Sequence, residues 1–317
     1  MRPYQGYGAI FQNQMTLHNE SESIQTSFNR RFRDGFTFGL NYTYGIRFRG
    51  NTGTGPSNSG LQRRYQHNAD GSFTLRADQK QWEDLMGSGR SLNMAAHVIK
   101  GTWVWNLPGL KSQGGSSRVL AAIVNDWQLS GILTAGSGAR YTPTVSYQNG
   151  GSSVNLTGSP DYAARIVILG DPGSGCGSNQ YKQFNTAAFT GPQPGSVGLE
   201  SGQNYMVGCA DHTVDLSLQK NIRLGGGRNL QLRLDAFNAF NALVFNSRQS
   251  QLQFNSPTDL TIRNPQYVVN AGDTTLAPGA VGTELNSARV LPNNAGFGAV
   301  SGAQNMRNLQ AQIRFQF

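Results

Sequence analysis

The segment Asn308–Phe317 reads NLQAQIRFQF, and its alternation decides the fold. Leu309, Ala311, Ile313, Phe315 and Phe317 fall on one face of an extended strand, with Gln310, Gln312, Arg314 and Gln316 on the other. Successive side chains of a strand point to opposite sides, whereas the apolar positions of a helix recur every three or four residues. The segment is therefore a strand that separates an apolar medium from a polar one.

The same pattern returns upstream. Val214, Leu216 and Leu218 alternate with Asp215, Ser217 and Gln219; GGGRN then makes a tight turn, and Leu230, Leu232 and Leu234 alternate with Gln231, Arg233 and Asp235. Two alternating runs around a Gly-rich turn predict an antiparallel hairpin. A second hairpin is expected from a strand over Met15–Phe32, a turn at Arg33, Asp34 and Gly35, and a return strand carrying Phe36, Phe38, Leu40, Tyr42 and Tyr44 on one face. Two further strands are expected over Asn93–Gly109 and Val124–Thr144, which makes seven.

Short and long connections alternate strictly between these strands. In an up-and-down sheet every short turn then falls at one end and every long Gly/Asn/Ser-rich loop at the other, the arrangement of membrane barrels with periplasmic turns and extracellular loops. Loops longer than about 15 residues are uncommon inside compact domains. The expected fold class is all-β: an antiparallel up-and-down transmembrane β-barrel, partial, of about seven long strands. Asp215, Arg233, Asp235 and Arg314 are its candidate lumen-facing polar residues, because such groups suit a wet wall better than a packed core. Tyr42, Tyr44, Trp103, Trp105, Trp127 and Tyr141 are candidates for interfacial girdles. A soluble β-sandwich is the competing reading and requires the apolar faces to pack against one another.

Composition agrees. Of 317 residues 37% are hydrophobic and only 14% charged, with 40 glycines; mean hydropathy is −0.43. Few charges argue against a highly charged disordered chain. The longest apolar run, Val119–Val124, is far short of the roughly 20 residues of a membrane-spanning helix. Strands that alternate evade that test. The net charge of +9 does not point to nucleic acid, since Arg30, Arg31 and Arg33 form the densest basic group and the rest are scattered. The first residues show neither a basic start nor an apolar stretch, so no secretory signal is read there.

No chemistry is legible, and no enzyme activity and no cofactor are expected. There is no G-x-S-x-G elbow, no H-E-x-x-H and no phosphate loop. His18, His67, His97 and His212 are far apart in sequence, and Asp161, Asp171, Asp211 and Asp273 lack the fixed spacing of a calcium loop. No metal site is expected. Cys176 and Cys209 have no zinc-ligand spacing and are candidates for a disulfide that would tether one long loop.

Two resemblances complete the reading. A terminal Phe317 on the amphipathic strand of Leu309, Ala311, Ile313 and Phe315 resembles the C-terminal insertion signal of bacterial outer-membrane proteins, which implies the barrel-assembly machinery and outer-membrane lipid as partners. FNTAAFTGPQPGSVG (Phe184–Gly198), DLSLQKNIRL, LQLRLDAFNAFN (Leu230–Asn241), IQTSFNRRFRDGFTFGLNYTYG (Ile24–Gly45) and DWQLSGILTAGSGARYTPT (Asp126–Thr144) together resemble the C-terminal barrel half of Oar-like TonB-dependent receptors of the acidobacterial type. That resemblance implies a receptor of 22 strands with a plug that moves a large or scarce substrate across the outer membrane. On it, residues 1–317 are expected to be the C-terminal part of such a barrel, with plug, N-terminal domain and signal peptide absent and the TonB complex reached only through the missing part. An outer-membrane adhesin binding partners through its loops is the alternative.

Overall fold

The computed structural model describes residues 18–51, 65–67, 73–75, 94–109, 120–121, 123–149, 152–157, 163–196, 200–202 and 204–317. Seven long strands dominate: β1 (His18–Arg33), β2 (Phe36–Asn51), β3 (His97–Asn106), β4 (Trp127–Gly136), β5 (Asp211–Gly225), β6 (Arg228–Phe237) and β7 (Asn308–Gln316). They form one sheet in sequence order, each antiparallel to the next. This is an up-and-down meander without a crossover.

The turns follow from local chemistry. Asp34 and Gly35 link β1 to β2, both at positive φ (54° and 79°), which matches the right-handed twist of the strands they join. Gly226 and Gly227 do the same between β5 and β6, at 62° and 80°. Residues 107–126 link β3 to β4, and of those described 120, 121, 123 and 124 are helical. All three lie at one end of the sheet.

Register keeps the two faces apart across every strand. One row runs Phe28, Leu40, Gly101, Leu133, Val214, and another Phe36, Trp105, Leu129, Leu218, Leu234, Ala311. The opposite face reads Thr37, Val104, Ser130, Ser217, Asp235, Gln310 along one row. The row through Phe36, next to the first turn, meets β6 at Leu234, well beyond the Gly226–Gly227 turn. That stagger is the strand tilt a closing barrel needs. Among the described residues the apolar face packs against no second layer, so Phe28 is 62% and Ile313 76% exposed.

The hydrophobic core lies elsewhere. The described residues of the connections 137–210 and 238–307, expected as long polar loops, fold together around Tyr147, Ile166, Ile168, Phe184, Phe189, Met206, Leu252, Phe254 and Phe297. Short ladders hold this loop domain: Arg140–Tyr141 with Met206–Val207, Val167–Ile168 with Phe189–Thr190, Phe245–Arg248 with Val300–Ala303 and Tyr267–Val268 with Glu284–Leu285. Thr144–Tyr147 pairs in parallel with Gln251–Phe254 and joins the two connections. Among the described residues none of the seven strands contributes to this core.

Two strand boundaries differ from expectation. β4 stops at Gly136 rather than Thr144, because Gly138 turns the chain against Gly208, whose carbonyl oxygen would lie 1.7 Å from an added Cβ. Only glycine permits that approach, and Tyr141 beyond it enters the loop domain instead of a girdle. The β3–β4 connection is also longer than expected, since β3 ends at Asn106 and β4 starts at Trp127.

Candidate functional site: the loop domain and its seat on the wall

The loop domain is seated by the motif that ends β6, Phe237-Asn-Ala-Phe-Asn241. Asn238 takes a positive φ of 49°, which asparagine tolerates better than most residues. Its side chain donates to the carbonyls of Ala242 (3.0 Å) and Asn305 (3.1 Å) and accepts from the Ala242 N–H at 2.8 Å. Its own N–H donates to Asp215 Oδ1 on β5 at 2.8 Å. Asn241, also at positive φ, accepts from the Arg307 N–H at 3.0 Å just before β7. The exit of β6, the approach to β7 and the wall at Asp215 are thus tied at one point.

A second tie joins the two connections. Cys176 and Cys209 are linked by a disulfide, which fastens residues 171–185 to the start of β5. Buried Gln183 donates to the carbonyls of Gly177 and Asn179 (2.8 and 2.9 Å) and accepts from Arg248 Nε of the other connection at 3.3 Å. The Arg248 guanidinium lies 5.7 Å from the centre of the Tyr141 ring, and Tyr141 donates to the Gly175 carbonyl at 2.9 Å. Burial pulls the Arg248 pKa down and pushes the Tyr141 phenol well above its usual value, the consequence of desolvating both groups in one cluster. Arg165 is a third anchor: its backbone N–H donates to Glu200 and its guanidinium to the Ser201 carbonyl. Burial lowers its pKa to about 10, against the opposing pull of Glu200.

Two concavities stand out among the described residues. One of about 280 Å³ is lined mainly by apolar side chains, among them Leu169, Phe189, Phe254, Ile262, Leu276 and Val281, with Tyr181, Lys182 and Tyr267 among its polar members. Apolar clefts with a few convergent polar groups are the usual form of small-molecule sites. The other, about 480 Å³, lies where the domain meets the wall and carries Arg140, Asp211 and Arg248.

The lumen candidates sit on the polar face of the wall. Arg233 Nε donates to Asp235 Oδ1 at 2.8 Å, and Ser217 on the neighbouring strand is a further donor to Asp235. Asp215 serves the seat at Asn238, so on the polar face it is a structural acceptor. Arg314 stands opposite Gln231, exposed and away from this cluster. Of the histidines, His97 pairs with the Tyr42 hydroxyl at 2.8 Å, and among the described residues no three His, Cys, Asp or Glu side chains gather as metal ligands. Asp161 lies outside the described residues.

A family model for the outer membrane beta barrel domain matches residues 1–310. The chain belongs to that family. Its location is the bacterial outer membrane, and the exposed face of the sheet is the face that meets lipid. No curated protein and no solved structure matches the chain. In an outer-membrane barrel the short turns are periplasmic and the long loops extracellular, which puts the loop domain outside the cell. Along β2, Phe36 to Tyr44 spans about 27 Å of strand at about 3.4 Å per residue, or roughly 21 Å projected at a tilt of about 40°. That is close to the apolar band of about 25 Å typical of these proteins, with aromatics at both limits.

Sequence reading missed Asn238, Asn241, Gln183 and Arg248. The repeated Asn in FNAFN was the available signal, since two asparagines three apart at the end of a strand suit turn positions with positive φ.

Proposed function

We propose that this barrel is part of an Oar-like TonB-dependent receptor, in which the loop domain captures a large or scarce substrate and the wall surrounds its path inward. One observation carries the reading: the two longest connections build a cored, disulfide-tied domain with a concave apolar surface, where a purely structural barrel needs only loops that stay solvated. The sequence resemblance over the FNTAAF and LDAFNAFN stretches supplies the receptor type. Energy would arrive through a TonB-contacting segment, and the assembly machinery would read β7 during insertion.

The experiment is uptake from isotope-labelled culture filtrate by cells that carry the gene and cells that lack it, with and without a protonophore. Gene-dependent accumulation that stops with the protonophore supports energised transport. The size and exposure of the loop domain favour one alternative, an adhesin, and gene-dependent retention at the surface that ignores the protonophore would decide for it.

A further inference from the structure

The short connection at the periplasmic end departs from a simple turn. Lys220 on β5 pairs in register with Trp127 and Leu232, so its side chain leaves the sheet on the lipid side. A lysine there is costly unless its ammonium is satisfied. It is satisfied: Nζ donates to the carbonyls of Ile123 (3.0 Å) and Asn125, and lies 5.4 Å from the centre of the Trp127 ring. The Trp127 indole N–H donates to the same Ile123 carbonyl at 2.7 Å. Residues 123–125 therefore lie against the outer surface of the wall, not beneath its rim.

The helical turn has two sides there. Ala121 is buried, while Leu120, Ile123 and Val124 are 57%, 60% and 41% exposed. Three apolar side chains on water would form an adhesive patch. On the lipid side of the sheet they continue the apolar surface of Leu218 and Leu232. Arg30 over the Phe36 ring, 5.7 Å away, marks the same end with a second cation on an aromatic, the pairing that suits the headgroup level.

We propose that the end of the β3–β4 connection is a membrane-inserted strap: Leu120, Ile123 and Val124 are buried among the acyl chains of the periplasmic leaflet, and Lys220 pins the strap to the wall. The strap rests on the lipid-facing assignment of the sheet but not on transport.

The test uses the gene product in its own outer membrane. Single cysteines replace Ile123, Leu232 or Val290, the native disulfide is left intact, and each is labelled with an environment-sensitive nitrobenzoxadiazole dye. Doxyl-labelled fatty acid then quenches from the lipid and iodide from water. The expected result is that the label at 123 behaves like the one at 232, quenched by doxyl and shielded from iodide, while the label at 290 on the loop domain shows the reverse. Lys220→Met should then raise iodide quenching at 123 and leave 232 unchanged. A label at 123 that reports water while 232 reports lipid overturns the strap alone. If 232 itself reports water, the lipid-facing wall fails and the strap with it.

Discussion

The wall and the loop domain use the same apolar side chains in opposite ways. Ile313 on the wall is 76% exposed, whereas Leu252 in the loop domain is fully buried. Neither is anomalous, because each turns toward the less polar medium available: hydrocarbon for the wall, other side chains for the loops. The wall accordingly has strict alternation and no core, and the loop domain has a core and little alternation. Exposure of an apolar side chain thus means two different things within one chain.

Four perturbations would break or sharpen that contrast. Phe254→Ala removes a ring stacked 5.5 Å from Tyr147 in the loop core. Truncating a buried phenylalanine costs about 3–5 kcal/mol, so the loop domain should become protease-sensitive while the wall keeps its resistance to denaturation by detergent; a wall that falls with it would mean the two are one cooperative unit. Leu40→Arg puts a charge midway between the aromatic limits of β2 and should destabilise the wall by about 2–4 kcal/mol, against little effect for Gln312→Arg on the polar face. Folding titrations into detergent or lipid measure both, and equal tolerance would deny lipid its place on the Leu40 side. Asn238→Ala touches both regions by unpairing the Ala242 and Asn305 groups, and should cost about 1–3 kcal/mol. Hydrogen exchange should quicken at Ala242 and at the start of β7 together.

The smallest effect is a pH dependence in one exposed turn. Asp259 accepts from the Asn255 side chain (2.8 Å) and from the Thr261 N–H and hydroxyl (3.1 and 2.7 Å), which hold its carboxyl below the usual range. Its folded value is depressed, so the contribution is present above the unfolded value of about 3.9 and fades as pH falls through the folded one. Exchange at the Thr261 amide, corrected for its intrinsic pH dependence, should rise in that acid window and show no such step in Asp259→Asn.

The legible part of the molecule is the part with a period. β5, β6 and β7 follow from alternation because each buries one face in a uniform medium, and the two glycine turns follow from positive φ. The loop domain was illegible for the complementary reason. Its ladders are two to four residues long, too short for any period to register, and its core joins residues such as Tyr147 and Phe254 that are neighbours only through a pairing across two separate connections. Cys176 and Cys209 could be proposed as a bridge from composition, but Gln183 and Arg248 gain their meaning only once both connections are in place. Lys220 looked like one polar residue in a strand, and nothing in its neighbours announced that a turn nearly a hundred positions earlier would receive it.

The separation of core from wall also bears on descent. Among the described residues the hydrophobic core comes from the β4–β5 and β6–β7 connections, and none of it from the strands that bracket them. Among the described residues the concavity of about 280 Å³ is lined by the connections, so substitutions there leave the alternating strands unaltered, while the strands need keep only contacts such as Asp215 with Asn238 that seat the loop domain. Lineages can exchange what the outside recognises while inheriting the same wall.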